Sequence, residues 1–116
     1  MQKAGKMITS FKDWKNVMIN LADEALKEER YLNAAIYYRS AEFYIVKKCA
    51  EKEELYDKFS ELFYKAIKDE PLERNKVPYN GSFLPALKVA SSTGETKGTI
   101  VIHGGFDSFI EEWYFD

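Results

Sequence analysis

The fold is decided by the stretch Thr99-Ile100-Val101-Ile102-His103-Gly104-Gly105-Phe106-Asp107-Ser108, a β-branched run followed by two glycines and a capping residue. The β-branched run predicts a short buried strand. The glycines allow a sharp turn and a close approach of the backbone. Ser108 opens a Ser-x-x-Glu pattern that ends at Glu111, the form of a capping box, so a helix is expected to begin at Phe109. Strand, turn and helix start in this order aim backbone N–H groups at one point, which suits an anion or a developing oxyanion.

The composition is that of a small globular domain. The 116 residues are 46% apolar and 31% charged, with a formal net charge of -2. This balance does not point to nucleic acid or an anionic membrane as a partner, and no apolar run reaches the length of a membrane span. The single cysteine, Cys49, excludes an internal disulfide, and a cytoplasmic location is expected. No metal site is expected, because the single histidine has no His or Cys at ligand spacing.

Residues 1–70 predict a helical segment of three helices. Ser10 is expected to cap the first helix, with Asp13 three residues on. Apolar residues then recur at spacings of three and four, and the helix is expected to end between residues 27 and 30. The stripe consists of Phe11, Trp14, Met18, Leu21 and Ala25.

The second helix is expected to begin at Tyr31 or Leu32 and to run to about Ala50, with apolar residues on two faces. A third apolar stripe covers residues 55–67, and Pro71 should end that helix. A helix that is apolar on two faces is usually packed between two neighbours, so the three helices should form one packed unit.

Residues 71–116 predict β-structure and then a short helix. Asn75–Tyr79 and Phe83–Ala90 are expected as edge strands, because each contains a proline, and Asn80-Gly81 between them is a hairpin turn. Thr99–Ile102 is expected as the third strand. The fold class predicted is therefore α+β: three helices, a β-hairpin, a third strand and a short C-terminal helix.

The turn His103-Gly104-Gly105-Phe106, with its flanking strand and helix, resembles the oxyanion-hole turn of the α/β-hydrolases. It is most similar to that of serine hydrolases with a helical N-terminal segment, the dipeptidyl-aminopeptidase-like and pseudooxynicotine-hydrolase-like enzymes. The resemblance implies that residues 71–116 are the first strands, the oxyanion turn and the start of helix A. It implies hydrolysis of a small acyl substrate, an ester, an amide or a carbon–carbon bond beside a carbonyl, by a serine nucleophile. The N–H of Gly105 or Phe106 would be an oxyanion donor, and His103 would shape the turn.

The sequence departs from that family in its catalytic residues. It contains no Gly-x-Ser-x-Gly, and its one histidine belongs to the turn instead of the triad. The site is therefore confined to His103, Gly104, Gly105 and Phe106, with no cofactor, and the chain is expected to be a truncated, inactive start of the fold.

The third strand should lack a neighbour in such a chain, because strand four of the family would be missing. Thr99–Ile102 would then expose an apolar edge. We expect this edge to pair either with Phe83–Ala90 or with a second copy of the chain, which would make a homo-oligomer.

The residues leave other interpretations open. The region 26–44 has the small and aromatic residues of a tetratricopeptide hairpin, and the chain could be a non-enzymatic interaction module that binds a protein partner. His103 could simply bond to nearby backbone at a strand end, and the two glycines could form a plain turn. Asp107 could cap the helix in place of Ser108, and Glu111-Glu112 could serve only the first turn of the helix.

Overall fold

The computed structural model describes the backbone of residues 2–114 and the side chains of residues 4–114. A single helical turn and three longer helices are followed by a β-hairpin and a 3-10 helix, which confirms the α+β order. The elements are α1 (Gln2–Gly5), α2 (Phe11–Lys27), α3 (Tyr31–Phe43), α4 (Ala50–Ala66), β1 (Leu72–Tyr79), β2 (Ser82–Val89) and η1 (Ile110–Tyr114). The chain forms two compact units, Met1–Lys68 and Asp69–Asp116. None of the helices within residues 2–114 is both long and apolar enough to span a bilayer.

The start of α2 has the cap that the sequence predicts. Ser10 Oγ accepts the backbone N–H of Asp13 at 3.1 Å. Asp13 in turn accepts the hydroxyl of Thr9 at 2.7 Å. Hydrogen bonds to the Asp13 carboxylate, from the Thr9 hydroxyl first and then from Ser10 and the Thr9 backbone N–H, hold the pKa of this carboxyl below its ordinary value. The helix ends at Lys27, inside the expected range.

Helix α3 lies between α2 and α4 and packs against both, as its two apolar faces predict. Its alanines at positions 34, 35 and 41 are fully buried and let the neighbouring helices approach closely. The largest side chains buried in this core are Met18, Tyr38, Phe59 and Phe63.

Helix α3 ends at Phe43, so the expectation that it continues to about Ala50 is wrong. The reason is a side chain from α4. Lys52 Nζ donates to the carbonyl of Ile45 at 2.7 Å and to that of Glu42 at 3.3 Å. It also pairs with Glu42 Oε1 at 2.5 Å. One ammonium group therefore satisfies carbonyls that would otherwise bind the next turn of helix.

Helix α4 begins five residues before the expected stripe. Glu51 and Glu53 lie in its first turn, where the helix dipole favours carboxylates. The charged segment 51–54 is therefore part of the helix. The helix ends at Ala66, ahead of Pro71, as expected.

The β-hairpin closes through Asn80-Gly81, as predicted. Both residues have positive φ, 46° and 74°, which is the geometry of a type I′ turn. β1 and β2 pair antiparallel from Tyr79↔Ser82 to Leu72↔Val89. The two strands begin and end within three residues of the expected bounds.

Both prolines face outward from the hairpin. The register pairs Pro78 with Phe83 and Pro85 with Lys76. In a two-residue hairpin the pair next to the turn, here Tyr79 and Ser82, is hydrogen-bonded, and hydrogen-bonded pairs then alternate with non-hydrogen-bonded ones. Both prolines therefore lie in non-hydrogen-bonded pairs, where the backbone nitrogen points away from the partner strand. Each outer edge of the hairpin consequently lacks one backbone donor, which makes it a poor template for another strand.

Thr99–Ile102 is not a strand, so the prediction of a third strand is wrong. In the described part of the chain, the sheet contains β1 and β2 alone. Ile100 is 87% exposed and Val101 86% exposed. The expected pairing of Thr99–Ile102 with Phe83–Ala90 is absent, because β2 is paired with β1 alone in the described sheet. Without a neighbour to accept and donate its backbone hydrogen bonds, the segment does not form a strand.

Candidate functional site

The corner after this exposed segment is a turn that begins at Gly105 and is clamped by Ser108. Gly105 N–H donates to Ser108 Oγ at 3.0 Å. The backbone N–H of Ser108 donates back to the carbonyl of Gly105 at 3.4 Å. One serine therefore binds Gly105 on both sides and closes the four-residue turn 105–108.

Gly104 lies in a close-packed position inside this corner. A Cβ added to it would stand 2.5 Å from Ser108 Oγ and 2.5 Å from Trp113 Nε1. The same addition at Gly105 would meet its nearest atom at 3.9 Å, an ordinary contact. The first glycine of the pair is therefore required for packing, whereas the second is not.

The short helix η1 is capped in a different way from the predicted capping box. Glu112 Oε2 accepts the backbone N–H of Phe109 at 2.6 Å. Ser108 binds Gly105 instead of the helix, and Glu111 is buried at 3% exposure. The expected box is thus displaced by one residue. The glutamate three residues after Phe109 is the sequence signal for this cap. It forms one half of a capping box, and the other half is lacking because Phe109 has no polar side chain.

The end of η1 is held to the start of the same unit. Tyr114 Oη donates to Glu70 Oε2 at 3.3 Å. Partial burial, and then the nearby carboxylate, raise the pKa of the Tyr114 hydroxyl above its ordinary value. The contacts of Trp113 with Gly104 and of Tyr114 with Glu70 could not be predicted from the sequence, because they join residues far apart along the chain and leave no local pattern.

The four predicted site residues are not equivalent as hydrogen-bond donors. His103 Nδ1 lies 3.1 Å from the carbonyl of Gly104, which is the local backbone contact of the simpler interpretation. The Gly105 N–H is occupied by Ser108. Phe106 is fully exposed, and within residues 2–114 no hydrogen bond involves it. Of the two expected oxyanion donors, the Phe106 N–H is therefore the one available to a ligand.

The corner has no catalytic pair of its own. The Ser108 hydroxyl accepts from Gly105, and the His103 ring contacts Gly104, so these two side chains do not form a nucleophile and base. Among the described side chains, no group of three or more His, Cys, Asp or Glu is placed to hold a metal ion.

A second candidate site is an open groove between α2 and α3 in the helical unit. Its volume is about 340 Å³. Met18, which is 1% exposed, is part of its lining, and Ile36 is 43% exposed. The lining residues are Met18, Leu32, Asn33, Ile36, Tyr37 and Ser40. Most of this lining lies in the tetratricopeptide-like region, whereas Met18 comes from the preceding helix.

Comparison of the chain with protein-family models, curated proteins and solved structures gave no match. The hydrolase interpretation therefore depends on the residues and geometry of the corner at 103–108. The interaction-module interpretation depends in the same way on the groove between α2 and α3.

Proposed function

We propose that residues 99–114 supply the oxyanion-binding turn of a serine hydrolase of the α/β-hydrolase class. The reaction is hydrolysis of an acyl substrate through a covalent serine ester. The observation that carries the proposal is the packing at Gly104, where only a glycine fits between Ser108 and Trp113. Catalytic donors to an oxyanion must be held in place before the reaction, and a close-packed corner supplies that rigidity.

Phe106 N–H is the oxyanion donor in this proposal. Phe106 occupies the second position of the turn that Gly105 and Ser108 close. Its side chain points into solvent, at 109% relative exposure, so a substrate oxygen can approach the backbone there. Ser108 holds the preceding peptide through Gly105, which orients the donor.

The nucleophile, base and acid come from polypeptide other than these 116 residues, which contain no Gly-x-Ser-x-Gly and one histidine. A second oxyanion donor would come from the residue after that nucleophile. The chain by itself should therefore show no turnover, because an oxyanion donor without a nucleophile provides only residual catalysis.

The test begins with the nucleotide sequence that follows the last codon, read in all three frames. The proposal expects it to encode a Gly-x-Ser-x-Gly segment. The 116-residue chain alone and the chain joined to the whole downstream polypeptide, which must supply the nucleophile, base and acid, are then treated with a fluorophosphonate probe for reactive serines. Labelling of the joined protein and not of the chain alone is the expected result. Absence of the motif, or absence of labelling in a folded joined protein, would contradict the proposal.

A non-enzymatic interaction module is the second candidate, favoured by the groove between α2 and α3. Its exposed apolar surface at Ile36, with Asn33 and Ser40 beside it, fits an apolar side chain of a protein partner that also offers hydrogen bonds. Ile36→Asp should abolish binding of a partner that uses the groove, and Leu84→Asp, on an exposed strand, should not. Neither residue belongs to the corner at 103–108, so both variants should keep the serine labelling of the joined protein.

A further inference from the structure

The segment Thr99–Ile102 is exposed and apolar, and it pairs with no strand of the described chain. Ile100, Val101 and Ile102 are 87%, 86% and 63% exposed. All four residues are β-branched, which suits a pleated strand far better than isolated extended chain. An unpaired row of backbone N–H and C=O groups beside such side chains is a template for pairing with another strand.

The hairpin is not the natural partner. Pro78 and Pro85 each remove a donor from one of its two outer edges. By contrast, residues 99–102 contain no proline, and residues 98–106 contain no charged side chain when His103 is neutral. Two copies of this segment can therefore approach without like-charge repulsion and with every backbone donor present.

We propose that two copies of the chain pair antiparallel through Thr99–Ile102, with Val101 on the two-fold axis. In this register Ile100 of each copy faces Ile102 of the other, so four isoleucines share one face of the new ladder. A register shifted by one residue would place Ile100 against Val101 and divide the isoleucines between the faces. The contact is isologous, because each copy presents the same edge, so one such pairing joins two copies into a dimer.

This inference concerns the 116-residue chain and does not rest on the hydrolase proposal. Its first test is the molar mass in solution, measured by sedimentation equilibrium over a concentration series. The average molar mass of the unchanged chain, and that of Val46→Lys, should rise with concentration toward twice 13.5 kDa. Val101→Lys should stay at the monomer mass, because it places two ammonium groups opposite each other at the axis.

Val46 is the matched control because it is 96% exposed and lies in the helical unit. Circular dichroism should show the same helix content for both lysine variants, since both replaced side chains are exposed. A monomer mass for the unchanged chain throughout the series would overturn the proposal. So would a Val101→Lys variant that dimerises like the unchanged chain.

The second test is the register. In a Cys49→Ser background, Val101→Cys should form an intermolecular disulfide on mild oxidation much faster than Val46→Cys. The symmetric position brings the same residue of both copies together, so the cross-link needs no second cysteine. A dimer mass with equal cross-linking at the two positions would place the interface elsewhere and overturn the proposal.

Discussion

Gly104 lies against the indole of Trp113 so closely that a single added methyl group would stand 2.5 Å from Nε1. The same methyl group would lie 2.5 Å from Ser108 Oγ, the atom that binds Gly105. The packing of Trp113 and the closing of the turn by Ser108 therefore both require that residue 104 has no side chain.

Gly104→Ala should displace both Ser108 and Trp113 and cost about 1–3 kcal/mol of local stability, as overpacking does. Gly105→Ala is the matched control, because its added methyl group meets nothing nearer than 3.9 Å. The indole N–H signals in a ¹H–¹⁵N spectrum distinguish the two: Gly104→Ala should shift the Trp113 signal and leave that of Trp14. Equal shifts in the two variants would contradict the packing account.

The buried charges of α3 predict a second contrast. Arg39 Nη1 pairs with Glu42 Oε2 at 2.6 Å, both side chains being less than 10% exposed, and Lys52 pairs with the other oxygen of Glu42. Glu42→Gln removes the anion from between two cations and should cost about 3 kcal/mol. Glu51→Gln breaks the exposed pair with Lys15 and should cost less than about 1 kcal/mol. Urea unfolding followed by circular dichroism measures both, and equal midpoints would refute the prediction.

Tyr38 predicts a loss of stability at alkaline pH. Burial, and then its hydrogen bond to Asp23, raise the pKa of the Tyr38 hydroxyl from 10.0 to about 12. Between these two values the folded state keeps a proton that the unfolded state releases. The contribution of this hydroxyl to the free energy of unfolding is therefore fully present below pH 10 and is lost as the pH rises through 12. Stability measured from pH 9 to 12 should fall less steeply in Tyr38→Phe than in the unchanged chain. Tyr79→Phe, on an exposed strand, should leave the slope as it was; equal slopes for all three would contradict the account.

The hairpin turn predicts a purely conformational effect. Gly81 has φ of +74°, and a Cβ there would meet nothing within 4 Å. Gly81→Ala should therefore cost about 1 kcal/mol through backbone strain alone. Gly98 is as open but has no positive φ, so Gly98→Ala should not weaken the hairpin. Hα chemical shifts of β1 and β2 report the hairpin population, and a stable hairpin in Gly81→Ala would oppose the prediction.

Local chemistry was readable from the sequence where a residue acts on its own neighbours. Ser10 and Asn80-Gly81 are of this kind, because a cap and a type I′ turn need only residues two or three positions apart. The end of α3 was not readable, since Lys52 ends it from the following helix. The strand at Thr99–Ile102 was predicted from its β-branched residues, but strand structure also requires a partner, and propensity carries no information about one.

The corner at 103–108 was predicted in place but not in detail. Two adjacent glycines indicated a turn, yet only the structure distinguishes Gly104, which packs against Trp113, from Gly105, which binds Ser108. The capping serine was also assigned to the wrong partner, because a hydroxyl can turn back to the preceding residues as readily as forward into a helix.

The most direct measurement of the central claim is ester hydrolysis by the chain joined to the downstream polypeptide that supplies the nucleophile, base and acid, comparing Phe106→Pro with Phe106→Ala. Proline fits the second position of the turn but has no N–H, whereas alanine keeps it. The account predicts that Phe106→Pro lowers kcat for 4-nitrophenyl butyrate about 100- to 1000-fold relative to Phe106→Ala. Equal kcat values for the two variants would contradict the assignment of this backbone donor to the oxyanion.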